Sequence, residues 1–230
     1  MNSEQLSKRL KTVGSYVSSG ARLADIGSDH AYLPCYLAKK KRIEFAIAGE
    51  VVKGPFQSAQ RQVRTEGLTE LIEVRMGDGL DVVRAEDGIT DITIAGMGGP
   101  LIAKILERGK VKANLAARLI LQPNVHALAI REWAVKNDWK LVAEEILEEN
   151  QKLYEILVLE KGAMELNSAD LLLGPFLRQT RSDAFVKKWE RELAEWERIL
   201  LKLPEDDRQE VKDKRRELEM KIELVKEVLS

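Results

Sequence analysis

The chain has 230 residues, 44% of them apolar, which allows one medium domain with an appendage and a sizeable core. Its 37 basic and 38 acidic residues nearly cancel, excluding a global basic footprint for nucleic acid, and the single cysteine, Cys35, excludes an internal disulfide framework and a multi-cysteine zinc site. No apolar run approaches the ~18 residues of a membrane span and the first residues lack a signal-peptide core, so a cytoplasmic protein that does not enter the membrane is expected.

Leu6, Leu10, Val13 and Val17 recur at spacings of four, three and four, marking an amphipathic first helix with Arg9 on its polar flank. Residues 22–26 read as a strand, 32–40 as a helix and 43–48 as a second strand. The intervening stretch, LADIGSDHAYLP at 23–34, holds an apolar strand ending at Asp25, Gly27 in the turn, and Asp29 and His30 opening the helix. Glycine there lets backbone approach a ligand, and a helix start offers unpaired N–H groups. The dinucleotide fingerprint G-x-G-x-x-G is absent, because Asp29 and Tyr32 stand where its later glycines would be. A carboxylate at Asp29 repels a pyrophosphate but tolerates a cofactor with a cationic amino-acid tail, so S-adenosylmethionine fits and NAD fits badly. The plainer alternative makes Asp29 an N-cap and His30 a packing residue.

Glu50 stands just past the second strand, where αβ nucleotide-binding folds place an acid for ribose hydroxyls; an ordinary loop glutamate is the alternative. Lys39, Lys40, Lys41 and Arg42 form a compact basic run, which suits either phosphates or the solvated C-terminal end of a helix. A helix over 55–65 precedes a strand at 72–76 that runs into Gly77, Asp78 and Gly79. Asp78 is either a turn aspartate or an acceptor for an adenine amino group. A strand at 89–95 meets Gly96, Met97, Gly98 and Gly99, a density of glycine implying that substrate or cofactor approaches the backbone closely; a helix at 101–108 follows. A strand at 119–122 ends in Gln122, Pro123 and Asn124, a helix covers 128–137, and two closing strands lie at 139–145 and 153–160. Alternating strands and helices predict a doubly covered, mostly parallel α/β sheet with its ligands beyond the strand C-termini, where the acids and glycines named above cluster.

The composition changes between Gly162 and Gly174, which puts the domain boundary between 1–162 and 163–230. Val186, Trp189, Leu193, Trp196, Leu200 and Leu203 follow at spacings of three and four, and Pro204 with three acids after it separates them from Val211, Leu218, Ile222, Val225 and Leu229. Two heptad-like helices joined by a short turn predict an antiparallel, coiled-coil hairpin within one chain, hence a monomer. Lys212, Lys214, Arg215 and Arg216 on its second arm are either solvated flanks or a grip on a polyanion.

Taken together, Arg9-Leu10, LADIGSDHAYLP, AGEVVKGP around Glu50, GDGL at 77–80, TIAGMGG at 93–99, LILQPN at 119–124 and KLYEI at 152–156 resemble the bacterial tRNA adenine-N1 methyltransferases that act on adenine 22. The resemblance extends over nearly the whole chain. It implies a Rossmann-like class I methyltransferase fold, S-adenosylmethionine as donor, tRNA as partner, and no metal. On matching positions, Asp25 and Gly27 would line the donor, Glu50 would hold its ribose, Asp78 with Gly79 would face its adenine, and Gly96, Met97 and Gly98 would complete the cofactor site. Gly96–Gly99 replaces the Asn/Asp-Pro-Pro-aromatic tetrapeptide of many amino-directed methyltransferases, leaving His30 and Tyr32 as candidate stacking partners for the base.

The chemistry points to the same residues. Adenine N1 carries a lone pair, so alignment with the donor methyl supplies most of the acceleration, and a carboxylate near the amino group stabilises the charge that methylation places on the ring. Asp29 is the choice for that role, His30 the second candidate, and Arg9 a group to hold a phosphate or the acid. Two other readings compete: a nicotinamide-dependent oxidoreductase, which should carry more glycines after Gly27, and a non-catalytic RNA-binding or coiled-coil interaction protein, which leaves the clustered acids without a purpose.

Overall fold

The structure is a computed structural model that describes residues 5–204 and 208–230. The acids at 205–207 named above lie outside the described residues. It divides into two compact units, Met1–Glu145 with Tyr154–Met164, and Ile146–Leu153 with Glu165–Ser230.

In the first unit, α1 (Lys8–Ser15) is N-capped by Ser7, whose Oγ accepts the Leu10 N–H. Then come β1 (Ala21–Ile26), α2 (Tyr32–Lys39), β2 (Ile43–Glu50), α3 (Lys53–Thr65), β3 (Ile72–Met76), β4 (Asp91–Gly98), α4 (Gly99–Arg108), the short α5 (Lys110–Ala113), β5 (Arg118–Val125) and α6 (Leu128–Lys136). The last strands, β6 (Trp139–Glu149) and β7 (Lys152–Lys161), turn on Asn150 and Gln151, both at positive φ as a tight two-residue hairpin requires, and the tip of that hairpin, Ile146–Leu153, belongs to the second unit. The sheet order is β3-β2-β1-β4-β5-β7-β6. Neighbours from β3 to β5 pair in parallel, and β7 runs antiparallel to β5. Because parallel crossovers are right-handed, helices connecting outward from β1 toward β3 and from β4 toward β6 fall on opposite faces. Between them the strands read as unbroken apolar runs, such as Leu119–Leu121, fully buried.

That order reverses direction between β1 and β4, the switch point past whose strand C-termini ligands bind in open α/β sheets. Cys35, on α2, is buried, and its thiol is pushed up to about 12 by burial, which leaves it an inert core group as expected.

The second unit contains α7 (Ser168–Leu173), α8 (Pro175–Thr180), α9 (Asp183–Lys202) and α10 (Gln209–Leu229). The expected hairpin is present, and Trp189, Leu218, Ile222 and Val225 of its two repeats are buried. Phe185 and Trp189 meet edge-on at 6.2 Å, with Leu173, Leu177 and Val225 completing the cluster. The two short helices at 168–180 were not read from the sequence; a capping box between Asn167 and Asp170 starts one and Pro175 starts the other. Among the described residues no helix is long and apolar enough to cross a membrane.

Candidate functional site

The site is built on the first turn after β1. Asp25 is 4% exposed and its carboxylate accepts the Ser28 hydroxyl at 2.6 Å and the Thr93 hydroxyl of β4 at 2.7 Å. Burial pushes its pKa up, against the lowering effect of those two hydroxyls. Gly27 has φ +70°, and a side chain there would begin 2.3 Å from the terminal carbon of Met97. Glycine is therefore required twice over, for the backbone angle and for the space Met97 fills.

The helix read at 32–40 is present as Tyr32–Lys39, and Asp29 and His30, expected at its opening, lie in the turn before it. Asp29, His30 and Ala31 have φ of +37°, +65° and +54°, one left-handed turn made of three non-glycine residues. Asp29 is thus no N-cap, and Ala31, which occupies that place, offers no capping side chain. Strain of this kind persists only when the surroundings over-determine it. Here the Glu50 carboxylate accepts the Asp29 N–H at 2.5 Å, and the His30 ring stacks on Tyr32 at 5.1 Å. Asp29 Oδ1 lies 3.5 Å from His30 Nε2, and their side chains are 72% and 43% exposed, open to a substrate.

Glu50 is the last residue of β2 rather than a loop residue, paired with Met76 of β3 and buried. Its pKa is raised first by burial, partly offset by the Asp29 N–H, with Asp25 and Asp29 adding negative charge nearby. Gly77 donates its N–H to the Glu50 carbonyl at 2.9 Å, which brings the Asp78 loop beside it. Asp78 itself is half-exposed and ion-paired with Arg108 at 2.7 Å. Gly79, at φ +59°, leaves no room for a side chain against Ile105, 2.9 Å away.

The glycine cluster belongs to β4, which continues to Gly98, with register irregularities on both sides of Met97. Gly96 has φ +80°. Gly99 answers to the chain itself rather than to a ligand, since a side chain there would begin 2.0 Å from the His126 carbonyl oxygen. Arg9 reaches this edge from α1, donating to Gln122 Oε1 and lying 5.3 Å from the Tyr154 ring. Asp25, Gly27, Asp29, His30, Glu50, Asp78, Gly79, Gly96, Met97, Gly98 and Arg9 therefore meet along one sheet edge. Sequence reasoning gave no role to Ser28, Thr93 or Gln122. The available signal was a polar residue closing an otherwise apolar buried strand, as Gln122 does after Leu119–Leu121.

Such a cradle, with buried carboxylates, a glycine floor and an exposed acid at a strand switch point, suits a nucleoside-bearing cofactor. The model of the tRNA (adenine(22)-N(1))-methyltransferase family, TrmK, matches residues 23–227. A Bacillus subtilis (strain 168) protein named tRNA (adenine(22)-N(1))-methyltransferase is 49% identical over 236 residues, covering 100% of this chain and 99% of its own. The crystal structure of the B. subtilis M1A22 tRNA methyltransferase TrmK superposes with a TM-score of 0.92 at 48% identity, covering 99% of this chain and 100% of that one. A Streptococcus pneumoniae structure in complex with S-adenosyl-L-methionine gives 0.90 at 47% identity, covering 98% and 100%. By family model and full-length identity alike, the chain belongs to the tRNA (adenine(22)-N(1))-methyltransferase family.

Proposed function

We propose that the chain transfers a methyl group from S-adenosylmethionine to N1 of adenine 22 in tRNA. The observation that carries this reading is the pairing of two buried carboxylates, Asp25 and Glu50, with an exposed one, Asp29, on a single strained turn. The residues fit the donor: Asp25 and Glu50 offer negative charge to a cation and to ribose hydroxyls, and Asp78, on the loop that follows Met76, would accept from the adenine amino group. They fit a pyrophosphate poorly, because Asp29 projects at the turn and Glu50 already occupies its N–H.

When bound, S-adenosylmethionine supplies an electrophilic methyl on a sulfonium. The chain's own residues hold adenine N1 in line with it, worth more than any base because the nitrogen lone pair is already free. Asp29 accepts from the exocyclic amino group and stabilises the positive charge that methylation leaves on the ring, a role worth about 10²- to 10⁴-fold in rate. His30 keeps that carboxylate in place and, stacked on Tyr32, presents an aromatic face to the base. Arg9 steadies the opposite wall through Gln122. Donor and base are handled within residues 1–162, and the basic residues Lys212, Lys214, Arg215 and Arg216 of α10 grip the RNA backbone, each phosphate contact steepening the loss of affinity with salt.

Transfer of labelled methyl groups to unmodified tRNA tests the reading. Wild type should label, a tRNA with adenine 22 replaced should not, and Asp29→Ala should lose about 10²- to 10⁴-fold in kcat while still binding the donor. Labelling that ignores base 22 refutes the site of methylation, and full activity in Asp29→Ala refutes the acid.

A further inference from the structure

We propose that Gln122 and Asn124 are positioning residues of methyl transfer, acting by clamping both backbone polar groups of Gly96 and so fixing where Met97 stands against the turn after β1. The proposal rests on the function proposed above and concerns how the floor of that site is held.

Gln122, within β5, is fully buried. Its Oε1 accepts the Gly96 N–H at 3.0 Å together with a guanidinium N–H of Arg9, and its Nε2 donates to the Pro123 carbonyl at 2.8 Å. Asn124, two residues on and exposed, donates from Nδ2 to the Gly96 carbonyl oxygen at 2.7 Å. The N–H and C=O of Gly96 thus go to two side chains of the neighbouring strand where a regular ladder would give them to backbone. This coincides with the register irregularity between Ala95 and Met97, and with a φ of +80° that permits the bend at Gly96.

Clamping has a consequence one residue further on. With Gly96 fixed at both ends, Met97 is carried toward the Gly27 turn, and its terminal carbon fills the space a side chain of Gly27 would take. Donor turn and glycine stretch are thereby locked together by an unbranched, flexible side chain that would otherwise find several resting places. Gln122 cannot touch a substrate from its buried position, so any effect it has on the reaction travels through Gly96 and Arg9.

The test uses Gln122→Met and Asn124→Ala in the full chain, with three readouts: kcat at saturating tRNA and donor, donor Kd by calorimetry, and hydrogen exchange at the Gly96 amide. Both variants should lose about 10- to 100-fold in kcat, the scale of a misplacement near 1 Å, with donor Kd within about threefold of wild type. Gly96 amide exchange should speed up in both, an opening a purely global loss of stability would not confine to that residue. Should Gln122→Met fail to fold, Asn124→Ala carries the test alone, since its side chain is exposed. Wild-type kcat in either folded variant, or a loss of kcat with Gly96 exchange unchanged, overturns the clamp. If wild type itself leaves adenine 22 unmethylated, the proposed function is what fails, and unchanged Gly96 exchange in the variants still overturns the clamp.

Discussion

Two sets of buried carboxylates in the first unit are held in opposite ways. On β6 and β7, Glu144 and Glu155 close around Arg131 of α6 at 2.7 and 2.6 Å, and all three side chains are 0–4% exposed. Burial alone would lower the Arg131 pKa, but the two glutamates hold it above its ordinary value. At the ends of β1 and β2, Asp25 is held by hydroxyls and Glu50 by a backbone N–H, and burial pushes both pKa values up. A buried acid completed by an internal cation is architecture. At the strand C-terminal ends, an acid left with neutral partners is a candidate to meet charge from outside, whereas Asp91, buried at the start of β4 and accepting the Ser18 N–H, lies away from that end.

The largest expected effect breaks the paired side. Arg131→Met leaves two buried carboxylates without their cation and should destabilise by about 3–5 kcal/mol in chemical denaturation. Replacing all three side chains with apolar ones of similar volume should recover most of that loss, because the penalty lies in the orphaned charges rather than in the missing pair. A single replacement as mild as an ordinary surface change would mean that water reaches the triad.

The unpaired side should behave differently. Asp25→Asn removes a carboxylate that the free protein gains nothing by burying, so its melting temperature should equal or exceed that of wild type. Donor affinity should meanwhile fall about tenfold or more, the loss of one charge-assisted hydrogen bond. The pH dependence follows from the same shift. A carboxyl whose pKa is raised on folding binds more protons folded than unfolded, so its contribution to stability grows as pH falls from the raised value toward 3.8 and weakens as pH rises through that window. Donor binding runs the other way: a cationic ligand favours the ionised acids, so affinity should weaken on acidification and calorimetry in different buffers should report proton release. Affinity independent of pH would detach Asp25 and Glu50 from the donor.

Most of the scaffold was legible because alternation of apolar strands and amphipathic helices is a property of neighbours in sequence. Even the cluster of acids and glycines at the strand ends could be placed that way. What escaped depends on partners distant in the chain. Glu50 read as standing just past the strand, yet pairing with Met76 of β3 carries β2 on to it, where it is buried. The glycines at 96–99 read as space for a ligand, whereas Gly99 makes room for the His126 carbonyl. Arg131 gave no sign of burial, since a basic residue in a helix is ordinarily solvated, and only the two glutamates of the last strands make its position tolerable. The left-handed turn was illegible for a sharper reason: Asp or His visits that region singly, and local preference argues against three consecutive non-glycine residues there.

That turn supplies the smallest effect and the closest probe of the unpaired side. His30 sits at φ +65° with its side chain half-exposed, so replacing it tests backbone strain with little loss of packing. His30→Gly relieves about 1 kcal/mol of left-handed strain but adds about as much chain entropy to the unfolded state, and its stability should stay within about 1 kcal/mol of wild type. His30→Val, β-branched in the same conformation, should cost about 1–2 kcal/mol more than the glycine variant. Activity should rank otherwise, because both variants lose the ring that stacks on Tyr32 and the imidazole beside Asp29. Both should therefore be slow enzymes of different stability, whereas a glycine variant as fast as wild type would make the turn a matter of backbone alone and remove His30 from the chemistry.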